Sequence, residues 1–172
     1  MDKNTVIAVD AMGGDNAPLE IVKGAVAAIN EMEGIKVVLV GKSETFLNQL
    51  SEMSYNKEAL RIVEASEVIG ADETPANAVR RKKDSSIVKG LNLVKDGEAD
   101  AFVSAGSTGA LLLGATVIIG RLNGVERPAL GTAIPGEKGT TLLMDSGANV
   151  DCKAKYLEQF AKLASVYVEN VT

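Results

Sequence analysis

An α/β fold built on a mostly parallel sheet is what this sequence predicts, and three observations carry it. Short β-type runs alternate with longer helical stripes, the mark of successive βαβ units. Hydrophobic residues make up 46% of the 172 positions, yet aromatics are only 3% and tryptophan is absent. The core is therefore aliphatic and alanine-rich, as in sheets covered by helices on both faces. Glycine-rich turns also follow several of the strand-like runs. The length is that of one domain, or of part of a larger protein.

The elements follow in order. The run Thr5-Val6-Ile7-Ala8-Val9-Asp10 is the first strand. After the turn Met12-Gly13-Gly14-Asp15-Asn16 comes a helix with Ile21, Val22, Ala25, Val26 and Ile29 on one face, an amphipathic spacing. A second strand at 37–40 meets Gly41 and leads to a helix with Ser43 as its N-cap. The third strand lies at 60–63. Thr74-Pro75 has the signature of an N-cap and first helical position, opening a helix that runs into Arg80, Arg81, Lys82 and Lys83. Another helix, 84–95, stops before Gly97.

The fourth strand, 101–103, turns through Ser104-Ala105-Gly106-Ser107-Thr108-Gly109 into a helix rich in Leu, Ala, Val and Ile. Because that helix is apolar nearly all round, it is expected to be central and buried. Segments 129–134 and 141–145 flank a five-residue link, Pro135 to Gly139, which can join only antiparallel neighbours; a hairpin within the otherwise parallel sheet is expected. The last helix, 153–170, presents Leu157, Phe160, Leu163, Ala164 and Tyr167. The whole chain, 1–172, is taken as a single α/β domain.

Composition excludes several function classes. Eighteen Lys and Arg against 23 Asp and Glu leave a net charge of −5, the wrong balance for a nucleic-acid binder. With no histidine, this chain can build no Ser-His or Cys-His pair and no histidine-ligated zinc. Its one cysteine, Cys152, permits no internal disulfide, fits a reducing cytosol and is assigned a structural role. Met1-Asp2-Lys3-Asn4 runs straight into the first strand, unlike a signal peptide. The longest apolar stretch, 110–119, is far short of the roughly 20 residues of a membrane span. An intracellular protein is expected, with no cofactor and no metal.

In open α/β sheets ligands bind outside the carboxyl ends of the strands. Here those ends carry Asp10 with Gly13, Gly14, Asp15 and Asn16; then Ser104 with Gly106, Ser107, Thr108 and Gly109; then Asp145 with Ser146, Gly147 and Asn149. Glycine lets backbone N–H groups approach a ligand, and the next helix turns its positive end toward it, so a phosphate-bearing ligand fits. The turn at 104–109 is the best such cradle, although Ser107 or Thr108 could equally cap the helix. Asp10 and Asp145 either tie down their own loops, the commoner use, or orient a hydroxyl or cation. Asn149 either donates to an oxyanion or caps the last helix. Arg80, Arg81, Lys82 and Lys83 form the only basic run, read either as a solvated helix end or as an anion-docking patch. Arg121 and Arg127 are lesser anion candidates. Neither a Walker pattern nor a GxGxxG follows the first strand.

Five motifs then align with one family. VDAMGGDNAP at 9–18, AVRRKKDSS at 78–86, SAGSTGALL at 104–112, RPAL at 127–130 and DSGANVDC at 145–152 resemble the bacterial acyl-acyl-carrier-protein:phosphate acyltransferases, the PlsX family. The motifs keep the family's order over essentially the whole chain. This chain has Asn16 where members commonly carry histidine, and Ser146 where they carry a nonpolar residue or glycine. Family chains are about twice as long, so this one corresponds to their amino-terminal half.

The resemblance implies a Rossmann-like α/β/α layered fold, isocitrate dehydrogenase/phosphotransacetylase-like, in a cytoplasmic homodimer with peripheral contact at the inner face of the membrane. It implies transfer of a fatty acyl group from acyl carrier protein to inorganic phosphate, giving acyl phosphate for phospholipid synthesis. Gly13, Gly14, Asp15, Asn16, Ser104, Gly106, Ser107, Thr108 and Gly109 are then assigned to phosphate and substrate. Arg80, Arg81, Lys82 and Lys83 supply positive potential for phosphate or for the acidic carrier. Asp10, Asp145 and Asn149 shape the catalytic cleft. Another phosphate-handling enzyme of the same fold, or an inactive half-domain, are the alternatives.

Overall fold

Apolar runs that favour strand alternate with stripes that favour helix, and their order dictates the architecture. The computed structural model describes residues 4–137 and 139–171. Met1, Asp2 and Lys3, expected to lead into the first strand, and Lys138 of the hairpin link lie outside them. The chain divides into two compact units, the first ending at Ile119 and the second beginning at Gly120.

The first unit holds a four-stranded sheet of β1 (Thr5–Asp10), β2 (Ile35–Gly41), β3 (Leu60–Glu64) and β4 (Ala101–Val103), in the order β3-β2-β1-β4. Every pairing is parallel. Strand β2 is buried on both faces because its run Val37-Val38-Leu39-Val40 leaves no polar side. Val37 and Leu39 pack with Val22, Ala25 and Val26 of α1 (Leu19–Glu31), together with Phe46 and Leu50. Val38 and Val40 turn the other way, joining Ala8, Ala65 and Leu93 of α4 (Ser86–Lys95). Three layers result: helix, sheet, helix.

Chain order then creates the important feature. From β1 the chain steps outward through β2 and β3, and returns to place β4 on the opposite side of β1. The helix after β1 covers one face of the sheet. The helix after β4, α5 (Thr108–Ile118), packs on α3 (Pro75–Arg81) and α4 over the other. Loops leaving two adjacent strands for opposite faces open a crevice between them, the switch point at which such sheets hold ligands.

Three expectations are corrected. Ser43 does not cap a helix: it begins a 3-10 turn, Ser43–Thr45, its N–H goes to the Glu64 carboxylate at 3.1 Å, and α2 is only Leu47–Ser51. Helix α5 is not enclosed. Ala110 and Gly114 alone are buried in it, and Val117 is 69% exposed, because small residues bring one side of the helix onto its neighbours and leave the other open. Gly114 is one of these: a Cβ there would meet Leu91 Cδ1 at 2.6 Å.

The hairpin is the third. Strands β5 (Gly131–Gly136) and β6 (Gly139–Met144) pair antiparallel as expected, but as a two-stranded sheet of their own within the second unit. A short link fixes two strands to each other and says nothing about a third. Helix α6 (Ala154–Val171) lies against β6 and buries Phe160.

Candidate phosphate-binding crevice

Register brings the first site residues together. Val9 pairs with Val103, so the residues that follow, Asp10 and Ser104, leave adjacent strands side by side. Asp10 is 1% exposed, and a carboxylate so far from water needs hydrogen-bond donors. It finds two. Oδ1 accepts from the Met12 N–H at 3.0 Å, and Oδ2 accepts from the Ser104 hydroxyl at 2.7 Å. The same Ser104 Oγ accepts from the Gly106 N–H at 3.0 Å. A chain of bonds, Gly106 to Ser104 to Asp10 to Met12, therefore ties the β1 turn to the β4 turn.

Glycine is required where the two turns meet. A Cβ on Gly13 would sit 2.5 Å from Asp10 Oδ2 and 2.7 Å from the Gly106 nitrogen, closer than any side chain tolerates. Gly14 has φ +100°, in the left-handed region that glycine alone enters freely. Gly109 serves packing instead: a Cβ there would press on Pro75 Cγ at 2.8 Å, so its absence lets α5 approach the start of α3.

Between the turns lies a crevice of about 210 Å³, lined by Met12, Gly13, Gly14, Asp15, Ala105, Gly106 and Ser107 on two sides. A third wall, Val68, Ile69, Gly70 and Ala71, comes from the strap after β3. No sequence motif marks that wall. The signal was its place, since it too is a loop leaving the carboxyl end of a parallel strand. Ser107 caps α5, its Oγ accepting from the Ala110 N–H at 3.3 Å, and the first intrahelical bond is Leu111 N–H to Ser107 O. The Thr108 and Gly109 amides are thus left without an intrahelical acceptor at a positive helix end. Asp15 and Asn16 are exposed.

The basic run is not uniform. Lys82 Nζ donates to Val68 O at 2.6 Å and to Glu73 Oε1 at 2.5 Å, and Lys83 Nζ donates back to Val79 O at 3.2 Å. Arg80 and Arg81 project into solvent. The Lys82 hydrogen bond, followed by that from the Gly70 N–H, holds the Glu73 carboxyl below its ordinary range.

Asp145 and Asn149 belong to the second unit, where both tie loops. Asp145 accepts from the Leu130 N–H at 2.7 Å and the Asn149 N–H at 2.6 Å. Burial pushes its carboxyl up, but these backbone donors outweigh that and hold it below the usual range. Asn149 Nδ2 donates to Pro128 O at 3.0 Å, while its Oδ1 accepts from Arg127 at 3.3 Å. Arg127 also lies over the Tyr156 ring, 5.6 Å from its centre, and Arg121 donates to Glu126 O. The RPAL and DSGAN segments are thereby one bonded assembly. Cys152 is half-buried.

Among the described residues no cluster of three or more acidic, cysteine or histidine groups is placed to hold a metal ion, and no helix is long and apolar enough to cross a membrane.

Comparisons with known proteins bear on this arrangement. The chain is 51% identical over 166 residues to the phosphate acyltransferase of Clostridium botulinum, covering 96% of this chain and 50% of that protein. The phosphate acyltransferase of Clostridium kluyveri is also 51% identical, over 96% of this chain and 49% of its own. This chain thus spans about half the length of the curated relatives it matches. In three dimensions it is similar to a phosphotransacetylase from Streptococcus pyogenes, with TM-score 0.64 and 24% identity over 92% of this chain and 52% of the other. EutD phosphotransacetylase from Staphylococcus aureus gives 0.63 and 20%, over 93% and 51%. At such identity these two bear on the fold alone, and they bear out the phosphotransacetylase-like layering. A family model described as fatty acid synthesis protein matches residues 5–172, and to that family, the one the five motifs resemble, this chain belongs.

Proposed function

We propose that this chain supplies the phosphate-holding part of an enzyme that moves a fatty acyl group from an acyl-carrier-protein thioester to inorganic phosphate, giving acyl phosphate for phospholipid synthesis. The observation that carries this reading is the crevice at the switch point, where two glycine turns are locked together by the Gly106–Ser104–Asp10 bonds and α5 begins. Relatives named phosphate acyltransferase support it independently.

The chemistry asks little of side chains. A phosphate oxygen attacks the thioester carbonyl carbon; a C–O bond forms, the C–S bond breaks, and the thiol leaves with a proton. Phosphate is itself the nucleophile, so a chain without histidine is no obstacle. Catalysis of this kind rests on holding phosphate beside the carbonyl and stabilising the oxyanion. The Thr108 and Gly109 amides, with the Gly13 and Gly14 turn, serve the phosphate. Asp10 acts through Ser104, both of its oxygens being engaged by protein donors. Arg80 and Arg81, projecting to solvent, suit the acidic carrier. The same reading includes a cytoplasmic homodimer touching the inner face of the membrane, which rests on the family resemblance.

The test is acyl-phosphate formation from a long-chain acyl carrier protein and inorganic phosphate. It is run with this chain and with the chain extended by the remaining half of a relative. We expect product from the extended form. Failure of both forms contradicts the reading, and preference for a short acyl group on a small thiol carrier would favour a phosphotransacetylase activity instead.

A further inference from the structure

The strap that forms the third wall of the crevice has almost no regular structure. It spans 65–74 between β3 and α3, and its one ladder contact is a bridge between Glu67 and Ser85. Something other than a sheet must hold it, and the bonds come from the segment that closes α3 and opens α4. The Asp84 carboxylate accepts from the Ser66 N–H at 2.8 Å and the Ser66 hydroxyl at 2.6 Å, and also pairs with Lys89 at 2.6 Å. Glu67 exchanges bonds with the Asp84 backbone: its N–H donates to Asp84 O, and its carboxylate accepts from the Asp84 N–H at 2.9 Å. These fasten the strap before it reaches the crevice.

At the crevice itself the fastening is Lys82. Its ammonium reaches Val68 O and Glu73 Oε1, and the same Glu73 oxygen accepts from the Gly70 N–H at 2.7 Å. Val68 and Gly70 are two of the four wall residues, and Ile69 between them is anchored in the α3–α4–α5 core. Lys82 does not line the crevice. Both side chains of the pair are 31% exposed, so the pair is partly shielded from solvent.

We propose that Lys82 and Glu73 are positioning residues of the crevice: their ion pair holds the Val68 to Ala71 wall in place, and neither group touches the ligand. The proposal rests on the phosphate reading and redirects one basic residue within it. An ammonium committed to a carbonyl and a carboxylate sets the shape of a loop, whereas one facing the crevice would bind the anion directly.

These two roles predict opposite signs for one substitution. If Lys82 is a ligand, Glu73→Ala frees it and tightens phosphate binding, while Lys82→Met weakens it. If the pair positions the wall, both substitutions weaken binding together. The experiment measures inorganic phosphate affinity by calorimetry, and hydrogen exchange of the Gly70 amide by NMR, in the unsubstituted chain and both variants. We expect each variant to lose roughly twofold to fivefold in phosphate affinity, the scale of a partly exposed ion pair. Faster Gly70 exchange should accompany the loss, with core amides of β2 unchanged. Glu73→Gln, which keeps an acceptor for Gly70, should lie between.

Tighter binding in Glu73→Ala overturns the proposal, as does unchanged Gly70 exchange in Lys82→Met. Faster exchange with unchanged phosphate affinity also overturns it, since the wall would then be immaterial to the ligand. If the unsubstituted chain takes up no phosphate, it is the phosphate reading that fails. Gly70 exchange alone then decides whether the pair holds the strap.

Discussion

Gly13 shows how far one hydrogen atom can be asked to go. Its missing Cβ leaves room for Asp10 and for the Gly106 backbone, so the two turns can share one chain of hydrogen bonds. Gly13→Ala forces that contact apart and should cost about 1–3 kcal/mol, the usual range for overpacking. The control is Gly24→Ala in α1. Nothing lies within 4 Å of a Cβ there, and replacing an exposed mid-helix glycine should stabilise by roughly 0.5–1 kcal/mol. Chemical denaturation of both variants checks the pair; a Gly13→Ala protein as stable as the parent would contradict the described turn contact. Ser107 caps α5, and under the proposed function its hydroxyl also meets the phosphate. Removing the Ser107 and Thr108 hydroxyls together should cost about 0.5–2 kcal/mol through the lost cap. It should also weaken phosphate binding, which calorimetry checks; an unchanged affinity would remove both hydroxyls from the site.

Elements are held here by polar ties as much as by apolar stripes. In the second unit the Asp145 carboxylate joins the residues before β5 to the loop after β6 through Leu130 and Asn149. Its folded carboxyl lies below the ordinary value, so the unfolded chain binds its proton more readily. The stability it contributes is therefore complete above the ordinary carboxylate range near pH 4 and is lost as pH falls through the lower folded value. NMR signals of the Leu130 and Asn149 amides should hold steady from neutral pH to about 4 and move together only below it, and a midpoint above about 5 would contradict the tie. Asp145→Asn should abolish that acid step. In the first unit α4 sits so close to β4 that a Cβ on Gly90 would lie 2.1 Å from the Phe102 ring. Gly90→Ala should lower stability by about 1–3 kcal/mol despite alanine's better helix propensity. Thermal unfolding measures which effect wins.

At the scale of the molecule, alternation of strand runs and stripes was enough to read the four parallel strands. It works because β2 is apolar on both faces and α1 on only one. The β1 and β4 turns were legible too, since Gly13, Gly14 and Gly106 stand directly after strand runs. What stayed hidden depends on long-range partners. The strap wall of Val68, Ile69, Gly70 and Ala71 carries no motif of its own and is located by Lys82 and Glu73. The all-round apolarity of α5 suggested enclosure, yet it reports only what the helix can bury. Likewise Ser43 has a capping side chain, but its backbone is claimed by Glu64, 21 residues away.

Whether the crevice at the switch point holds phosphate is decided by NMR titration of this chain with inorganic phosphate. A phosphate seated there should give saturable shifts concentrated on the amides of Gly13, Gly14, Gly70, Gly106, Thr108 and Gly109. Saturable shifts centred elsewhere, or none at millimolar phosphate, would contradict it.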